Sequence, residues 1–403
     1  MASTTNVWKA RSAALAGAAM SHAAGLMRNW DTQANYMLTR PTNEWSFVNM
    51  NTYFPSATVR RGAHTEPLPE RAAAMDWRGL ADFHERTFTT AFLVLHRGAL
   101  VHESYPGLFA GRERRFQLFS LSKSVLSLLV GAAVQSGLLH DLADPVIRYL
   151  PGLKGSAYEG PTVDDLLTMS SGVGGAEDWS DPASSINQFS GTIFAGGSLH
   201  DMARSATRAA APGTTFNYST LDAQVLGWVV EAATGCTLAE YASRALWSRI
   251  GADRDAYYWL TRSRPHTAVG AASLNATARD VARLGLLMSR HGRVGDARVL
   301  PADWIPRCRG AAAPHLAVGA LGPSGRPHYG YANLWWTLGG EHEAFTGIGI
   351  YGQYLYVDPA ADVVIVKLSA WPRPDDDDLD RETIGAFEAL VRGFDTTDRE
   401  DGR

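Results

Sequence analysis

Cysteine is scarce: Cys236 and Cys308 are the only two in 403 residues. Two thiols so far apart give no disulfide framework, so the sequence predicts free thiols and a reducing, cytoplasmic setting. No apolar run is long enough to cross a bilayer, and no membrane is expected as a partner. Net charge is −4 with no basic stripe, which argues against nucleic acid and anionic lipid. The 12 histidines show no metal-ligand spacing, so scattered structural or surface roles are expected and no metal. Gly172-Val173-Gly174-Gly175 lacks the following Lys-Ser/Thr of a phosphate loop and reads as a plain loop. No cofactor is expected. Lysine is the rarest charge: only Lys9, Lys123, Lys154 and Lys367 occur.

What is present is an ordinary globular composition, 45% hydrophobic and 19% charged, on a chain long enough for two lobes. Lys9 and Arg11 precede the alanine-rich stretch Ser12–Met27. Ser21 and His22 interrupt it, and it reads as a short helix or arm (residues 1–42) rather than a cleaved signal. Residues 28–75, rich in Asn, Thr, Pro and Arg, read as irregular, and Trp77–Arg86 as a short helix. Phe88–His96 and Ala99–Ser104, joined by Arg97-Gly98, read as a β-hairpin. From Asp144 to about Ile250 the pattern is mostly helical, with a helix start at Pro161–Leu167 and amphipathic runs at Leu221–Ala233 and Thr237–Trp247. Ala276–Arg290 is another helix. Beyond Gly330, strands are expected at Ala332–Thr337, Gly349–Val357 and Val363–Ala370, then a closing helix at Arg381–Phe394. Strands toward both ends and helices between predict an α/β lobe from residues 43–140 and 260–403, with an all-helical lobe, 141–259, inserted.

The chain is organised around Phe119-Ser120-Leu121-Ser122-Lys123-Ser124, which opens the apolar run Val125–Leu138. A helix apolar nearly all round is a buried central helix. Ser120 and Lys123 then share one face of its first turn. A serine hydroxyl becomes a nucleophile when a neighbouring base takes its proton. Lysine can be that base if burial and the positive end of a helix dipole depress its pKa. The same helix end offers N–H groups to an oxyanion. Ser-x-x-Lys alone is a weak pattern, but a lone lysine heading the most apolar helix needs a reason, because an unpaired buried ammonium is costly.

Two further stretches are candidates. Tyr218, in Phe216-Asn217-Tyr218-Ser219-Thr220, follows the turn Ala211-Pro212-Gly213 and precedes a helix. It is either a packing tyrosine or a phenol aimed into a cleft, its pKa lowered by a nearby ammonium so that it shuttles a proton. In Phe345–Gln353, glycines recur along an expected strand. Close approach of a ligand is one reason for glycine there, and a bulge or tight sheet packing is the other. Asp375–Asp378 precedes the closing helix, where acids usually just complement the helix dipole.

These stretches resemble the serine β-lactamase and penicillin-binding superfamily, and within it the class C-like branch of carboxylesterases and 6-aminohexanoate-dimer (nylon oligomer) hydrolases. The resemblance runs from about Asn43 to Phe394. It is carried by Asn43-Glu44-Trp45-Ser46-Phe47, Ser120 to Lys123, Asp181-Pro182-Ala183-Ser184, Trp335-Trp336 and Gly347 to Gln353. It implies an α/β serine β-lactamase-like fold, an antiparallel sheet flanked by helices with an inserted helical lobe. It also implies Ser120 as nucleophile, Lys123 as base, Tyr218 as proton relay, and the backbone N–H groups of Ser120 and Ile350 as oxyanion hole. Trp336, Gly349 and Tyr351 would line the substrate site. In the nylon-oligomer enzymes a tyrosine assists at the scissile nitrogen and an acid faces the substrate amine. The matching positions are Trp179 and about Ser190, and a second acid near that amine matches Asp375.

Two departures stand out. Gly347-Ile348-Gly349 replaces the Lys-Thr-Gly of true β-lactamases, so no cation is expected to hold a substrate carboxylate. Thr220 stands where Asn or Ser is usual. The expected activity is hydrolysis of small-molecule esters or amides through an acyl-enzyme, with esters favoured. An acyltransferase using the same intermediate is the alternative, and a non-catalytic binding protein a further one. A homodimer is compatible with this reading.

Overall fold

A computed structural model describes residues 4–26, 30–72 and 78–400. The strands in chain order are β1 (Ser56–Val59), β2 (Thr89–His96), β3 (Ala99–Ser104), β4 (Phe116–Gln117), β5 (Ala256–Trp259), β6 (Leu274–Ala276), β7 (Arg293–Val294), β8 (Ala297–Arg298), β9 (Gly330–Ala332), β10 (Trp335–Gly339), β11 (Ala344–Gly349), β12 (Gln353–Asp358) and β13 (Val363–Ser369). Seven of them form one antiparallel sheet in the order β3-β2-β13-β12-β11-β10-β9. The expected hairpin is there: Arg97 and Gly98 both take positive φ, 52° and 73°, as a two-residue turn between twisted strands requires. β2 then pairs with β13, so the two ends of the chain close one sheet. A smaller sheet, β1-β5-β6-β4, leads into the central helix. Between β4 and β5 the described elements are all helical.

The sheet is covered on both faces. On one lie the central helix Leu121–Gln135 and the helix Ala278–Ser289, whose Gly285 abuts Val364 and Leu355. On the other, Phe387 of the C-terminal helix Asp377–Glu400 packs on Tyr354 and Tyr356. Both faces of β2 and β13 are buried, which is why those strands read as continuous apolar runs.

Several expectations need correction. Residues 30–46 are not irregular but contain the helices Trp30–Leu38 and Thr42–Ser46, each too short to show a clear 3.6-residue period. Asn43 anchors this segment by donating from Nδ2 to the Trp371 carbonyl, 3.0 Å away. The short helix expected from Trp77 is Leu80–Arg86, and Trp77 lies outside the described residues. The expected strand Ala332–Thr337 is broken by a tight turn at Asn333-Leu334, both at positive φ. Gly349–Val357 is likewise not one strand: Gly349 ends β11, and a turn through Tyr351 (φ 62°) precedes β12. The closing helix begins at Asp377 rather than Arg381. Thr237–Trp247 is an α-helix, Leu238–Ala242, that loosens into a π-turn at Ser243–Trp247.

Lys367 sits within β13, beneath the C-terminal helix, and is fully buried. The rings of Phe83, Tyr354 and Trp371 lie 5.7, 6.0 and 5.7 Å from its Nζ, which donates to Ser369 Oγ at 2.6 Å and the Thr87 carbonyl at 3.3 Å. Desolvation pulls its pKa down to about 7 against the weaker pull of Glu382 and Asp380. The depressed value means stability is complete above pH 10.5, declines as pH falls and only the unfolded chain is protonated, and levels off below about 7. Lys367→Met is therefore expected to raise stability at pH 7 by about 2–4 kcal/mol after the lost hydrogen bonds are discounted. Urea melts at pH 7 and pH 10 test this, and the gain should shrink at pH 10.

Candidate active site

β4 delivers the chain to Leu118, whose N–H bonds the Leu274 carbonyl of β6 at 3.0 Å. Phe119 then turns into the left-handed region, φ 48°, an unfavourable conformation for an aromatic residue. Its ring is held by Phe47 and Tyr351, with centroids 4.8 and 5.3 Å away. That turn places Ser120 at the N-cap of the central helix. Serine usually caps there, yet the Ser120 side chain makes no capping bond. Lys123 Nζ engages its Oγ instead, at 2.9 Å. Ser122 and Ser124 fix the same turn, through the Leu274 N–H at 3.2 Å and the Leu334 carbonyl at 2.8 Å.

Lys123 is 1% exposed. Besides Ser120, its Nζ reaches Thr220 Oγ1 at 3.1 Å and the Ala271 carbonyl at 3.2 Å. Thr220 in turn donates its hydroxyl proton to Glu177 Oε2 at 3.1 Å, and its N–H bonds Glu177 Oε1. The donors are thus fully assigned. A neutral amine has two hydrogens, which go to Ala271 and Thr220, and one lone pair, which is left for the Ser120 proton. Burial pulls the Lys123 pKa down to about 8, with the Glu177 charge opposing. Burial lifts the Glu177 carboxyl above its ordinary value, with Lys123 opposing in turn.

Tyr218 stands just before Ser219, which caps the helix Thr220–Thr234. Its ring stacks on Trp336 with centroids 5.4 Å apart, and Lys123 Nζ lies 5.0 Å from the ring centroid. The expectation of a lowered phenol pKa is overturned. Burial and the Glu177 charge push it up, and its hydrogen bond with Ser120 opposes only in part. With burial the dominant cause, Tyr218 keeps its proton at neutral pH.

Two cavities meet at Ser120. A polar cleft of about 260 Å³ is lined by Glu177, Tyr218, Arg326, Trp336 and Asp375 among others. An apolar one of about 200 Å³ holds Ser190 and Tyr351. Ser120, Trp179 and Ile350 line both. Gly349 lines neither: a Cβ there would sit 2.3 Å from the Leu118 carbonyl, and one on Gly347 2.7 Å from Ser124 Oγ. These glycines admit the chain's own backbone and central helix, not a ligand. Asp375 is in the cleft but accepts from Arg326, which also lies 3.4 Å from Asp380. Arg326 puts a guanidinium in the cleft from outside the Gly347–Gly349 stretch, with its charge matched by these two acids. Arg326 and Glu177 both lie in loops whose sequences carry no periodic signal. The sequence singled out neither of them, though Glu177 lies two residues before Trp179.

Because the Glu177 charge raises the Lys123 pKa, Glu177→Gln is expected to move the ascending limb of the kcat/KM–pH profile, near pH 8 in the parent, to lower pH. A limb that stays in place would show that the carboxylate does not act on the lysine.

Residues 72–389 match the Beta-lactamase family, and the chain belongs to it, as a hydrolase of that family. It is 36% identical over 346 residues to a 6-aminohexanoate-dimer hydrolase of Paenarthrobacter ureafaciens, covering 83% of this chain and 87% of that one. Among solved structures, a Bacillus anthracis protein provisionally assigned as a 6-aminohexanoate-dimer hydrolase superposes with a TM-score of 0.79 at 26% identity, covering 89% of this chain and 96% of that chain. A family VIII carboxylesterase shares the fold, with a TM-score of 0.60 at 17% identity over 79% of this chain and 98% of that chain. Among the described residues no helix is long and apolar enough to cross a membrane.

Proposed function

We propose that this protein is a serine hydrolase that cleaves esters, and less readily small amides, through an acyl-enzyme on Ser120. The observation that carries this is the 2.9 Å contact between Ser120 Oγ and a Lys123 whose other hydrogens are already engaged. Lys123 takes the hydroxyl proton as Oγ attacks the carbonyl carbon. The backbone N–H groups of Ser120 and Ile350, at the junction of the two cavities, receive the oxyanion. Tyr218, a phenol at neutral pH, passes a proton to the departing atom and is reprotonated from Lys123. Water then enters from the polar cleft and the same groups run in reverse to free the acid. The amide hydrolase at 36% identity supports including amides. A fluorophosphonate should add one mass to the intact protein, mapped to Ser120. Labelling elsewhere, or none, would end the proposal.

A further inference from the structure

A carbonyl held at Ser120 lies where two chemically opposite cavities join, so its two substituents must part there. Among the described residues the cavities share only Ser120, Trp179 and Ile350. Tyr218 lines the polar cleft and not the apolar cavity. Its phenol is the proton donor to the leaving atom, so the leaving group occupies the cleft and the acyl group the other side.

We infer that the acyl half of the substrate is an uncharged, apolar chain of medium length, seated between the helices Trp30–Leu38 and Ser185–Ala195. This rests on Ser120 being the acylated residue. The seat is walled by Met37, Met50, Phe54, Ile193, Phe194 and Trp259, and among the described residues no charged side chain lines it. Asn187, an amide among its described lining residues, turns its Nδ2 to the Trp179 loop, where its two hydrogens are shared among the carbonyls of Asp178, Trp179 and Asp181 at 3.2, 3.2 and 2.8 Å. Behind the wall, the Arg262 guanidinium lies 5.1 Å from the Phe54 ring centroid. An ammonium on the acyl chain would be desolvated with no anion among the described lining residues to meet it and a cation nearby. The cavity's 200 Å³ holds roughly six or seven groups of methylene size, taking each at about the ~30 Å³ of a liquid water.

The test uses the full chain and p-nitrophenyl esters from acetate to dodecanoate. We expect kcat/KM to rise by ~3–4-fold per methylene, up to about the octanoate, and then to level or fall. The hexanoate ester should exceed the 6-aminohexanoate ester by at least ~10²-fold. Ile193→Trp should lower the octanoate-to-acetate ratio at least tenfold, with circular dichroism showing that it has folded. The two wild-type comparisons stand without that variant. Intact-mass trapping of the acyl-enzyme shows which half of the ester stays on the protein. A wild type acylated on Ser120 that takes the ammonium-bearing ester as readily as the hexanoate, or gains nothing from chain length, overturns this inference and leaves the acyl-enzyme standing. Turnover without any acyl mass on Ser120 overturns both.

Discussion

Ser120→Ala is expected to lower kcat on the best p-nitrophenyl ester by at least ~10³-fold. No neighbouring hydroxyl can replace it. Thr220 Oγ1 also touches Lys123, but its proton is committed to Glu177 and its side chain is 2% exposed. Lys123→Ala and Tyr218→Phe should each cost at least ~10²-fold, the usual scale of lost acid–base catalysis. Combined, the losses should fall well short of their product, because a base has nothing to do once the nucleophile is gone. Full activity in the Ser120→Ala protein would remove the serine from the chemistry altogether. The parent's activity should fall about tenfold per pH unit below the Lys123 pKa of about 8, as the amine takes up the proton that blocks it.

Esters should be preferred over the linear 6-aminohexanoate dimer by at least ~10²-fold in kcat/KM. An ester releases an alkoxide that needs little help, whereas an amide nitrogen must be protonated to leave. At the junction of the two cavities stands Trp179, where the resemblance to the nylon-oligomer hydrolases places a tyrosine. Indole N–H donates a hydrogen bond but is a negligible proton acid, unlike a phenol. Ser190, near where the resemblance places an acid facing the substrate amine, carries no charge. Asp375 does not replace that acid, because Arg326 already holds it. Trp179→Tyr is expected to narrow the ester-to-dimer ratio. A parent that cleaves the dimer as well as a short-chain ester, or a ratio that Trp179→Tyr leaves unchanged, sinks this reading of Trp179.

Local chemistry decides how much of the molecule could be read from the sequence. Ser120 and Lys123 were legible because an ammonium at the head of an apolar helix is costly to bury unless the chemistry needs it. The Arg97-Gly98 hairpin announced itself through its turn residues. The capping box at Thr162 did the same for the helix Val163–Leu167. Lys367 shows the limit of the lysine argument: it is as buried as Lys123, yet aromatic rings and two oxygens hold it in a strand, away from both cavities. Gly347 and Gly349 were ambiguous because a close approach looks the same in sequence whether a ligand or the chain itself makes it. The turn at Asn333-Leu334 lacks glycine and proline and left no mark. In the wall formed by Met37 and Phe54, Met37 was hidden because its short helix has no period to read, and Phe54 because it lies in a bend outside any helix or strand.

The pairing of β2 with β13 also bears on how the protein is made. A ribosome releases β2 early, but the strand's neighbour on that side emerges only after most of the remaining chain. Until then a strand destined for full burial waits without its partner on that side, the kind of segment that chaperones shield. The helical insert, rich in local contacts, can form meanwhile. Because Ser120 precedes the insert, Tyr218 lies within it and Ile350 follows it, a nascent chain has no working fraction of the site. A message cut short before β11 should yield no partial enzyme at all, only a substrate for quality control.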